Sequence, residues 1–146
     1  MAAKKPFRLH TVLRYKQQIE ERLQGELAHL TQQLTAAEEQ RVQQQQQQER
    51  CLQALRQREQ AGLAAAELLT YSTFLQQLSV EMSQQAQVIA ALRDAIEQAR
   101  ARLEQAMKDR KVIENLQEKA YLTQKKQTLR DEERTLAEMA LRRFAG

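Results

Sequence analysis

The sequence predicts an all-α fold: a long antiparallel two-helix coiled-coil hairpin, one coiled-coil domain over residues 1–146, with the second helix longer than the first. Three observations predict it. Helix breakers are scarce, with three Gly and one Pro in 146 residues. The dominant residues are Ala, Leu, Gln, Glu, Arg and Lys, whose side chains lose little freedom in a helix. Apolar residues also recur every three or four positions, the spacing of a single helical face. Aromatics make up only 4% and Trp is absent, too little for an ordinary globular core.

The first helix is expected over about residues 6–60. Pro6 suits its first turn, where a missing N–H goes unnoticed. Val12, Ile19, Leu23, Leu27, Leu30 and Leu34, with Lys16 filling a gap, recur at a mean step of about 3.67, the eleven-residue repeat of a nearly straight helix. Residues 43–48 are all Gln. Such a tract reads either as a disordered, aggregation-prone segment or as solvated helix with a weakened seam. The helical reading is the better one, because Cys51, Leu52 and Leu55 resume the stripe in phase.

Gly62 stands where that stripe ends and places the reversal at about residues 61–65, whereas Gly25 marks close packing or a soft spot inside the repeat. The second helix then spans about residues 66–144. Ile89, Leu92, Ile96, Ala99, Leu103, Ala106, Arg110 and Ile113 alternate in steps of three and four, a heptad seam. Leu122, Leu129 and Leu136 continue at intervals of seven. Folding back at residue 63 sets residue 13 opposite about residue 113 and leaves roughly the last 25 residues without an intrachain partner. An apolar stripe on such an overhang calls for a partner, the alternative being a frayed tail.

Catalysis needs polar groups converging in a water-shielded concavity, which a two-helix rod does not offer. His10 and His29 stand alone, without the acids or cysteines of a zinc site. Cys51 is the single cysteine, suited to a small apolar seam position, and it cannot form an internal disulfide. No phosphate-binding glycine loop is present. The expectation is a non-enzyme without cofactor, metal or catalytic residues. With no signal-like apolar run and no stretch of membrane-spanning length, a soluble cytoplasmic protein is expected.

The net charge is +4 and the pI about 9.4, with 19 acids interspersed among 23 bases, so nucleic acid is not the expected partner. The placement of charge says more. Lys4, Lys5, Arg8, Arg14 and Lys16 precede the first acid, and the hairpin brings them beside Lys111, Lys119, Lys125 and Lys126. This cationic open end reads either as ordinary solvation of helix faces or as a surface for an acidic protein. Just after the reversal, Tyr71, Phe74, Leu75 and Leu78 form an apolar face at helical spacing. Leu75 reads as packing against Leu52, Leu55 and Ala61 at the hairpin tip; Phe74 and Leu78 read equally as core or as a docking surface.

The chain resembles the flagellar export protein FliJ family and, more distantly, the YscO group of virulence secretion systems. The resemblance lies in Phe7-Arg8-Leu9-His10-Thr11-Val12-Leu13-Arg14-Tyr15-Lys16 with Glu20 and Glu21. It continues through Gly62-Leu63-Ala64-Ala65-Ala66-Glu67-Leu68 into Tyr71-Ser72-Thr73-Phe74-Leu75-Gln76-Gln77-Leu78. It closes with Asp131-Glu132-Glu133, Glu138 and Arg142-Arg143-Phe144. The resemblance implies an antiparallel coiled coil like the stalk of a rotary ATPase γ subunit. It implies binding to the export ATPase ring, to the cytosolic domain of the export gate and to export chaperones, without membrane insertion. It further implies a cytoplasmic protein peripherally associated with the inner membrane at the flagellar base.

By the same resemblance the gate contact falls on Phe74, Leu78, Glu81 and Gln85, although Glu81 and Gln85 differ from the small and imidazole side chains of the family. The ATPase contact falls on the open end, where Arg8, Arg14, Lys16, Lys111 and Lys119 lie. Other readings are a cytosolic scaffold that homodimerises through the 122–139 stripe, the equivalent stalk of a virulence secretion system, and a binder of nucleic acid or anionic membrane through the basic end.

Overall fold

The computed structural model describes the backbone of residues 4–145 and the side chains of residues 8–145. It is a helical hairpin of α1, Lys4–Ala61 (58 residues), and α2, Ala65–Ala145 (81 residues). Gly62 ends α1 with φ at +97°, a left-handed conformation that side chains disfavour. Its N–H donates to the carbonyl of Glu59 at 3.4 Å, and the Leu68 N–H donates to the Ala64 carbonyl at 3.1 Å to begin the α2 ladder. Across this turn Arg58 donates twice to the Glu67 carboxylate, at 2.9 and 3.0 Å. Each charge sits at the helix end whose dipole favours it, the cation in the last turn of α1 and the anion in the first turn of α2.

The chain groups into two units, one of Gln24–Ala101 and the other joining the residues up to Leu23 with those from Arg102 onward. In the first, α2 contributes Leu78, Ile89, Ile96 and Ala99, all buried, with half-buried Tyr71, Leu75, Met82 and Leu92 along the same line. Facing them, α1 contributes Leu27, Leu30, Leu34, Ala37, Gln44, Gln48, Cys51 and Leu55. Buried Gln85 donates its side-chain N–H to the carbonyl of Ala37 at 2.8 Å, and Arg93 reaches Glu38 at 3.2 Å. In the second unit Leu103, Ala106, Arg110, Ile113, Gln117 and Ala120 of α2 lie along the same line, facing Leu13, Lys16, Glu20 and Leu23 of α1.

The seam of α1 differs from the eleven-residue stripe in its sequence. Val12 is 39% exposed, while Leu13 is half-buried and Glu20 is 9% exposed, so the covered line runs through Leu13, Lys16, Glu20, Leu23, Leu27, Leu30 and Leu34. That is a heptad. The α2 seam repeats every seven residues, and a helix stays in contact with it only by adopting the same period. The polar Glu20 therefore enters the seam and apolar Val12 leaves it.

The overhang also departs in part from expectation. Every residue of 121–145 is exposed, in agreement with the expected partnerless end. However, Leu122, Leu129 and Leu136 do not continue the α2 seam. Its line passes from Ala120 to Gln124, Gln127, Asp131 and Arg134. The three leucines lie two residues past Ala120, Gln127 and Arg134, about 200° round the helix at 3.6 residues per turn. They form a separate apolar row on the back of α2.

Candidate protein-docking surfaces

Two helices in a hairpin expose most of their side chains, so candidate surfaces are recognised by what is left without an intrachain partner. In the Gln24–Ala101 unit, the four residues 74, 78, 81 and 85 separate into two pairs. Leu78 is 3% exposed and Gln85 is 8% exposed, both turned into the seam. Phe74 is 46% exposed and Glu81 is exposed. Phe74, Glu81 and Val88 are spaced by seven along the flank of the α2 seam, and Val88 is 48% exposed. This row, with Phe74 as its one aromatic, is the surface available to a partner. Sequence spacing alone does not separate it from Leu78, because a flank and a seam position one turn apart look alike until the partner helix is placed. Val88 is hidden from a sequence reading for the same reason.

In the other unit Arg8, Arg14, Lys111 and Lys119 are exposed and Lys16 is half-buried in the seam. Among the described residues none of the five makes an ion pair. Arg110 behaves differently. Its guanidinium donates to Glu20 across the seam and to Glu114 on its own helix, at 2.5 and 2.6 Å. These hydrogen bonds, that to Glu114 first and that to Glu20 next, raise its pKa above the ordinary guanidinium value. Lys108 pairs with Glu104 at 3.6 Å. The side chains of Lys4 and Lys5 lie outside the described residues.

The sequence charges of the two units have opposite sign. Residues up to 23 and from 102 onward carry 17 basic and 10 acidic side chains, net +7, whereas 24–101 carry 6 and 9, net −3. The modest overall charge of +4 conceals this division. Basic groups concentrated on one unit attract an acidic partner more strongly than the average charge suggests.

Among the described residues no group of three or more His, Cys, Asp and Glu is placed to hold a metal ion, and no helix is long and apolar enough to cross a membrane. His29 contacts Gln33 one turn along, ring Nε2 to amide Nε2 at 3.2 Å, and Cys51 is half-buried in the seam. Among the described residues, open grooves run along both helices, such as that on α1 lined by Thr35, Glu38, Glu39, Val42 and Gln43 and that on α2 lined by Leu136, Met139, Ala140, Arg142, Arg143 and Phe144.

No curated protein and no solved structure matches the chain. The family model described as Flagellar FliJ protein matches residues 4–146. That span takes in both helices, the glycine reversal and the exposed end of α2. The chain belongs to the flagellar FliJ family, and its role lies in flagellar export.

Proposed function

We propose that this chain is the accessory stalk and chaperone-escort protein of the flagellar type III export apparatus. It binds the export ATPase ring with its basic unit and the cytosolic domain of the export gate with the Phe74 flank, and so couples ATPase activity to protein export. It is not itself an enzyme, and it works in the cytoplasm, peripherally associated with the inner membrane through the apparatus. The observation that carries this reading is the set of exposed cations Arg8, Arg14, Lys111 and Lys119, without ion pairs among the described residues, on the unit of net charge +7 in a chain of this family. An acidic ring surface would be drawn to such a unit at low salt.

The test is direct. The full chain is mixed with the export ATPase and, separately, with the gate's cytosolic domain, and binding is followed by sedimentation. Wild-type protein is expected to bind both. Arg8→Glu with Arg14→Glu and Lys119→Glu is expected to lose the ATPase and retain the gate domain. A chain that binds neither component would remove the stalk reading in favour of a scaffold.

A further inference from the structure

We propose that the α2 overhang pairs antiparallel with the overhang of a second copy of this chain, about a two-fold axis through Leu129. The inference starts from the leucine row on the back of α2. Leu122, Leu129 and Leu136 are 48%, 51% and 66% exposed and are spaced by seven. A two-fold axis at Leu129 places it against its own copy and Leu122 against Leu136 of the second copy. Each copy thus covers the other's row with the same three residues.

Charge selects this arrangement. Lys125 and Lys126 lie between Leu122 and Leu129, and Glu132 and Glu133 lie between Leu129 and Leu136. All four are exposed, and none has an ion-pair partner among the described residues. The same axis that pairs the leucines brings Lys125 opposite Glu133 and Lys126 opposite Glu132. Successive layers would read leucine, lysine on glutamate, leucine, glutamate on lysine, leucine. A parallel pair in register would instead stack Lys125 and Lys126 on their own copies and Glu132 and Glu133 on theirs, which like-charge repulsion disfavours.

The row also faces away from the α1 side of α2, so α1 does not obstruct a second copy. The contact is isologous and closes at the dimer. Its short length, roughly 21 Å between Leu122 and Leu136, makes it a weak and exchanging pair. Salt weakens it further, because its charges are exposed. The pairing involves no export component, and it covers part of the basic unit when the chain is alone.

Sedimentation equilibrium of the full chain is expected to show an average mass that rises above 17.0 kDa toward twice that value with concentration, and less steeply in high salt. Lys125→Glu with Lys126→Glu is expected to weaken self-association roughly tenfold. Adding Glu132→Lys and Glu133→Lys to the same chain should restore it. In a Cys51→Ser background, a short bis-maleimide should join Leu129→Cys to itself and Leu122→Cys to Leu136→Cys in a mixture, but not Leu122→Cys to itself. None of these overhang positions touches the α1–α2 seam, and circular dichroism checks that the helices persist. A mass that stays at 17.0 kDa at every concentration overturns the proposal. So does self-crosslinking of Leu122→Cys as efficient as that of Leu129→Cys, which would mean a parallel pair.

Discussion

Arg110 crosses the seam to Glu20, its Nε donating to Oε2 at 2.5 Å, and holds Glu114 one turn along its own helix. Glu20 is 9% exposed, so its carboxylate has little water to replace the guanidinium if Arg110 is removed. Arg110→Ala is therefore expected to destabilise the hairpin more than Glu20→Leu with Arg110→Leu, which removes both charges and fills the seam with apolar groups. Thermal unfolding of Glu20→Leu, Arg110→Leu and the variant that carries both measures the coupling. Additive effects would mean that the pair is only a solvated contact.

The same pair carries a pH expectation of definite sign. Arg110 has its pKa raised in the folded state, chiefly by Glu114 and then by Glu20. A raised folded-state pKa means that the stabilisation is fully present below the ordinary guanidinium range and is lost only as pH rises through the folded value. The stability difference between wild type and Arg110→Met should therefore stay constant from about pH 7 to about pH 10, all below the guanidinium range. Unfolding in urea at each pH checks this. A difference that disappears within that window would place its origin in another group.

These residues also mark what the sequence disclosed and what it concealed. The two helices, the reversal at Gly62 and the Ile89-to-Ile113 seam follow from local rules, since each depends on residues close in the chain. The α1 seam does not. Val12 fits the apolar spacing better than Leu13 when the helix is read by itself, but the heptad of α2 imposes the phase that covers Leu13 and Glu20. Polar seam members such as Glu20 and Gln85 are invisible to a hydrophobic pattern. They become legible only when Arg110 and the Ala37 carbonyl are seen opposite them. For the same reason the candidate gate residues separated as they did: Phe74 and Leu78 differ by one turn in sequence and by the placement of α1 in space.

The two glycines among the described residues should respond in opposite ways to the same substitution. At neither Gly25 nor Gly62 does any neighbouring atom lie within 4 Å of the position a Cβ would take, so packing does not distinguish them. Gly25 lies inside α1, where Ala is favoured over Gly by about 1 kcal/mol. Gly62 has φ at +97°, where an L side chain costs about 1–2 kcal/mol. Gly25→Ala should raise the urea midpoint and Gly62→Ala should lower it. Equal shifts of the same sign would contradict the backbone assignment of Gly62.

Gln44 is the polar defect of the glutamine tract. It is 8% exposed, and its side-chain oxygen is buried without a hydrogen-bond donor. Its neighbours Gln43, Gln45, Gln46 and Gln47 are exposed, which keeps the rest of the tract solvated. Gln44→Leu removes the unsatisfied oxygen and is expected to stabilise the chain by about 1 kcal/mol. Gln46→Leu, on the solvated face, should change stability by less than about 0.5 kcal/mol. Urea unfolding compares them, and equal effects would show that the seam does not pass through Gln44.

Phe74 and Leu78 provide the sharpest separation of binding from folding. Leu78 is 3% exposed, and truncating a leucine so buried costs about 2–4 kcal/mol through lost transfer energy and the cavity left behind. Phe74 is 46% exposed, so Phe74→Ala should change stability by less than about 1 kcal/mol. If the Phe74 flank docks the gate domain, Phe74→Ala should weaken that binding about tenfold or more while the unfolding midpoint stays near wild type, since an aromatic anchor at an interface commonly contributes that much. Leu78→Ala should lower the midpoint, and its effect on binding should follow the fraction unfolded. Titration of the gate domain, paired with urea unfolding of each variant, reads both quantities. Undiminished binding by Phe74→Ala would remove this flank from the gate contact and leave Leu78 with its seam role alone.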